Sequence, residues 1–120
     1  MGADANAVDM DVLLRLKQQI GPDNLVSVIQ KFSAESVRRW SAIGEATSSD
    51  ELAREAHTLA STCRSFGLPR VADELNAIEE HAKAGGVVEG WDDLWATGER
   101  LSRQVAELTK AVSGLTGTTG

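Results

Sequence analysis

The chain has 120 residues, 42% hydrophobic and 25% charged, enough for one domain around a single core. Eighteen acidic against twelve basic residues give a net charge of −6. That balance argues against a nucleic-acid surface, which needs clustered Lys and Arg, and against attraction to an acidic membrane.

Five helical segments can be read in chain order, and no strand-like alternation competes with them. The N-terminal "MGADANAVD" has neither a basic start nor an apolar stretch, so no secretory signal is expected, and Asn6 breaks the myristoylation pattern. Residues 1–8 are expected to be a flexible lead-in. Asp9 suits the N-cap of a first, short helix, "MDVLLRLKQQI", which stops at Gly21. Pro22 opens a second, "PDNLVSVIQKFSAESVRRWSAIGEA", whose Leu25, Ile29, Phe32, Trp40 and Ile43 mark one face, with Ser36 the single polar step. Ser48, Ser49 or Asp50 could cap the third helix, expected from about Asp50 to Phe66. Its stripe is Leu52, Ala56, Leu59, Cys63 and Phe66. Gly67 suits the residue after that helix, and Pro69 the first turn of the next.

The fourth segment carries Val71, Leu75, Ile78 and Ala82 and ends at Gly85-Gly86. The fifth is placed from near Trp91, with Asp92 and Asp93 at the positive end of its dipole, and its stripe runs Trp91, Leu94, Trp95, Leu101, Val105, Leu108, Val112. The three tryptophans are read as core and bundle-end packing. Residues 113–120 are expected to be a flexible tail. Short connections make neighbours antiparallel, so the fold class is all-α: an up-down-up-down four-helix bundle over residues 9–112, with the short N-terminal helix capping one end. No apolar run reaches the roughly 18 residues of a spanning helix, so no membrane insertion is expected. The lone Cys63 rules out an internal disulfide, fits a reducing compartment and reads as a small core hydrophobe; the cytoplasm is the default location.

One residue does not fit the core pattern. His57 points roughly 140° away from the stripe of the third helix, toward solvent. Its helical neighbours are Ala53, Ala60, Ser61 and Arg64, three of them small, which leaves room for a second protein to approach the ring. Arg64 and Arg54 are candidates to hold an anion beside it. A neutral imidazole is a usable nucleophile near neutral pH. Nothing adjacent in sequence completes a triad, and Cys63 lies on the wrong side of the helix. His81 sits at a boundary position and reads as structural; Glu79-Glu80 and Asp92-Asp93 read as solvated or helix-end charges. Two distant histidines give no metal cluster.

The stretch "AHTLASTCRSFGLPRVADELNAIEEHAKAG" resembles the histidine-containing phosphotransfer (HPt) domain. That family's signature runs approximately His-x-Leu-Lys-Gly, small residues, a large apolar residue, Gly, then an amphipathic helix with Leu and a closing Leu-Glu. His57, Leu59, Phe66, Gly67, Leu75, Ile78 and Glu79 match it. The likeness extends over roughly residues 9 to 112. Two positions depart: Ala60 stands where the family has the Lys that stabilises the phosphoryl group, and Ser61 where it has a Gly that admits the partner.

The resemblance implies that His57 relays a phosphoryl group between receiver-domain aspartates in a two-component phosphorelay. Arg64, or Arg38 or Arg39 across a helical hairpin, would replace the missing cation. The docking face would include Ala53, Ala60 and Ser61, with Phe32, Glu35 and Ser36 of the second helix. Response-regulator receiver domains and a hybrid or upstream histidine kinase are the implied partners. The receiver would bring its own Mg²⁺, and this chain would bind no metal, nucleotide or other cofactor. It is expected to be a monomer without autokinase activity. A degenerate adaptor that docks a receiver or kinase without efficient transfer is the alternative, favoured by Ala60; a helical dimerisation fragment of a kinase is a third reading.

Overall fold

A computed structural model describes residues 8–88 and 94–117. Among them the chain is all-helical: α1 (Met10–Ile20), α2 (Pro22–Gly44), α3 (Ser49–Ser65), α4 (Pro69–Lys83) and α5 (Leu94–Thr116). Residues 1–7 and 118–120, and with them most of the expected lead-in and the end of the tail, lie outside the described residues. So do Trp91, Asp92 and Asp93, and the expected start of the fifth helix.

Local chemistry sets the boundaries. The Asp9 carboxylate accepts the Asp11 N–H and caps α1. Gly21 ends it at φ +86°, and Pro22 opens α2. Of the three candidate caps for α3, Ser48 takes the position, its hydroxyl accepting the Glu51 N–H at 3.1 Å. At the other end of α3, Leu68 N–H bonds Cys63 C=O at 2.9 Å and Gly67 N–H bonds Arg64 C=O at 3.2 Å. Such a closure puts the donor of the inner bond in the left-handed region, and Gly67 has φ +88°.

The expected stripes form the core. Leu25, Ile29, Ile43, Leu52, Leu59, Cys63, Leu75, Ile78, Leu101, Leu108 and Val112 are buried together. The helices α2, α3, α4 and α5 pack in a ring, with α3 on α4 the most extensive pairing. Helix α1 lies on α2 and α5, and Asp9 N–H donates to Gly67 C=O at 2.7 Å, so α1 is fastened to the α3–α4 corner. No helix among the described residues is long and apolar enough to cross a membrane.

Three expectations need correction. Helix α5 continues to Thr116 through part of the segment expected as a tail, because Leu115 packs on the core and its carbonyl accepts Lys17 Nζ at 3.0 Å. Helix α2 stops at Gly44, and Ala46, expected inside it, packs on the core from the turn. Trp95 is 77% exposed rather than core. Thr97 occupies the buried position instead, its hydroxyl satisfied by Glu74. Trp40 is only partly buried and lies so close to Gly98 that a Cβ there would fall 2.8 Å from the indole nitrogen.

Candidate functional site

His57 stands on the outer flank of α3 with its side chain 65% exposed. Its Nδ1 lies 3.1 Å from Oε2 of Glu79 on α4. Both residues are eleven positions from Leu68 at the corner, so the hairpin brings them level. The Glu79 side chain is only 9% exposed, yet its acceptor sites are filled. Asn76 donates to Oε1 at 3.2 Å, and Lys83 Nζ sits 3.0 Å from the same Oε2 that faces the imidazole. Burial works to raise this carboxyl, but hydrogen bonds from Lys83, His57 and Asn76 outweigh it and hold the group below the usual carboxylate range. Glu79 is therefore an anion near neutral pH.

An anionic acceptor at Nδ1 fixes the imidazole tautomer. The proton resides on Nδ1, and the Nε2 lone pair is left free on an exposed ring. Such a nitrogen can attack an electrophile brought by another molecule, and Glu79 offsets the positive charge that develops on the ring. The sequence alone does not reveal this role, since Glu79 reads there as a solvated or helix-end charge. The only signals were its match to the closing Leu-Glu of the signature and its register across the hairpin.

The other expected site residues divide. Ala53 is half-buried and Ser61 exposed, both on the His57 side of α3. Ala60 is 1% exposed and belongs to the core rather than to an open docking face, because α4 packs on that side of α3. Phe32 and Ser36 are also buried and offer no docking surface. Phe32 stacks on Phe66 with ring centroids 5.1 Å apart, and the Ser36 hydroxyl donates to Ser33 C=O. Glu35 is half-buried and held on its own helix by Arg38, whose hydrogen bond draws the carboxyl below its ordinary value.

Two of the expected cations, Arg64 and Arg39, are engaged elsewhere. Arg64 turns sideways to α4, donating to Asp73 at 3.0 Å and Asn76 at 2.7 Å. It touches the site only through Asn76, which in turn bonds Glu79. Arg39 pairs with Glu35 at 3.6 Å and Glu55 at 3.7 Å, which holds it among those carboxylates. His81 lies at the end of α4 with Nε2 3.0 Å from Val87 O. Cys63 is buried, and that pushes its thiol up to about 12, so it is no nucleophile at neutral pH.

The described residues thus form a helical bundle that presents the exposed His57 imidazole with the buried Glu79 carboxylate behind it. The family model of the Hpt domain matches residues 27–114, and the chain belongs to that family, the histidine phosphotransfer domains of two-component phosphorelays. Domains of this family interact with receiver domains and histidine kinases. Comparison with curated proteins and with solved structures gave no match.

Proposed function

We propose that His57 is the phosphoacceptor of a relay between receiver-domain aspartates. The observation that carries this reading is the exposed ring whose Nδ1 is engaged by the buried Glu79 carboxylate. The Nε2 lone pair forms the N–P bond while the P–O bond of an aspartyl phosphate breaks, its electron pair leaving on the receiver's carboxylate. The Nδ1 proton stays in place, facing Glu79, and the reverse sequence delivers the phosphoryl group to a second aspartate. The rigid bundle contributes orientation and access. The receiver contributes Mg²⁺; this chain takes no metal or nucleotide of its own and works as a monomer in the cytoplasm. Receivers dock over Ala53, Ser61 and the ring itself.

The test is incubation with a receiver carrying a radiolabelled aspartyl phosphate. Label should move to the chain in an acid-labile, base-stable form and then on to a second receiver. Tight receiver binding with no transfer would favour the adaptor, the reading that Ala60 and the engagement of Arg39 and Arg64 elsewhere support.

Glu79→Gln is expected to slow phosphoryl uptake about tenfold to a hundredfold, the worth of a hydrogen bond to a charged partner. Stability supplies a second readout. The folded-state carboxyl titrates below the unfolded one, so Glu79 stabilises the fold above the ordinary carboxylate range and loses that contribution as pH falls through its lowered value. Wild type and Glu79→Gln should therefore melt further apart at about pH 7 than at about pH 3. An equal gap at both would contradict an ionised Glu79.

A further inference from the structure

Adding a phosphoryl group to His57 places roughly two negative charges beside Glu79, itself an anion. That arrangement needs a cation close by, and Ala60 does not supply one. Arg64 and Arg39 are spent on Asp73, Asn76, Glu35 and Glu55. Arg54 is one turn before His57, and helical side chains lean toward the N-terminus, which carries it away from the ring. Positions 60 and 61, which would lean back onto His57, hold Ala and Ser.

Lys83 on α4 is placed differently. Its ammonium contacts the same Oε2 of Glu79 that faces His57 Nδ1, so one carboxylate oxygen separates cation from imidazole. The same directional rule tilts Lys83 back along α4 toward residue 79. Its side chain is 58% exposed and its only other partner among the described residues is Glu80, at 3.9 Å. The ammonium is thus tethered at the site but free to turn outward on a flexible four-carbon stem.

Resting on the phosphoacceptor reading of His57, we infer that Lys83 is the cation that holds the phosphoryl group on this domain, supplied from α4 in place of the lysine missing from α3. In the resting state it pairs with Glu79; when phosphorus bonds to Nε2, it shifts toward the phosphoryl oxygens. This also explains how a buried carboxylate can brace the ring without repelling the incoming group.

The experiment compares wild type, Lys83→Gln and Lys83→Arg for uptake from a phosphorylated receiver and for the lifetime of the isolated phosphoprotein. Lys83→Gln should take up phosphoryl roughly threefold to tenfold more slowly and lose it faster, as expected of a partly exposed charge contact. Lys83→Arg should recover most of both, and added salt should shrink the difference. The Lys83→Gln deficit should persist when Glu79 is also replaced by Gln. Uptake and lifetime equal to wild type would overturn the inference, as would a deficit that vanishes in the Glu79→Gln background, since Lys83 would then act only by holding Glu79. In both cases wild type still labels at His57. A wild type that takes up nothing overturns the phosphoacceptor reading itself.

Discussion

His57→Gln should end phosphoryl uptake while leaving the bundle intact. The side chain is 65% exposed, so its replacement should change stability by no more than about 0.5 kcal/mol. Glu79 would not be stranded, because Asn76 and Lys83 still engage its two oxygens. What disappears is the nucleophile: an amide nitrogen has no lone pair free to attack phosphorus, and no neighbour can replace it. Cys63 is buried with its thiol pushed up to about 12. His81 sits at the end of α4 with Nε2 close to Val87 O. Uptake should fall to background with an unchanged melting curve. Label retained by the variant would move the acceptor elsewhere.

A large stability effect from a single methyl group is expected at Gly67. Gly67→Ala meets two penalties. Its φ of +88° lies in the left-handed region, and the added Cβ would stand 3.0 Å from Asp9 O. Because Gly67 C=O also accepts Asp9 N–H at 2.7 Å, relief of the clash pulls on the bond that fastens α1 to the α3–α4 corner. The expected loss is about 2–3 kcal/mol, or roughly 10 °C in Tm for a domain of this size. Gly21→Ala isolates a backbone penalty without a clash: nothing lies within 4 Å of its Cβ, but φ +86° with ψ 159° is a region essentially restricted to glycine, so about 1–3 kcal/mol should be lost there too. An unchanged Tm in Gly67→Ala would contradict both of the penalties argued for that position. In Gly67→Ala, amide exchange should also quicken in α1 before it does in α3.

These two glycines show what was legible in the sequence. A Gly after an amphipathic run with Pro just beyond signals a helix end, because few other residues adopt the left-handed turn and Pro suits the next first turn. The stripes were equally plain, since Leu59, Cys63, Leu75 and Ile78 recur at helical spacing. What remained hidden depends on the neighbouring helix. Ala60 looked like room cleared for a visiting protein, but its small size is used by α4, which packs against it. Glu79 looked like one of two solvated charges, and the donors that make its burial tolerable, His57, Asn76 and Lys83, could be identified only once α3 and α4 were laid side by side. Trp95 belongs to the fifth stripe by spacing, whereas in the fold Thr97 takes the buried position with a hydroxyl bonded to Glu74. Arg64 follows His57 by seven residues, yet the carboxylate of Asp73 and the amide of Asn76 draw it sideways to α4.

The decisive measurement concerns a single nitrogen atom. A chain labelled with ¹⁵N-histidine, phosphorylated by its receiver and observed by NMR, should show phosphorus on Nε2 of His57 with Nδ1 still protonated against Glu79. Phosphorus on Nδ1, on His81, or on any oxygen would contradict an imidazole oriented from behind by a buried carboxylate and open to its partner in front.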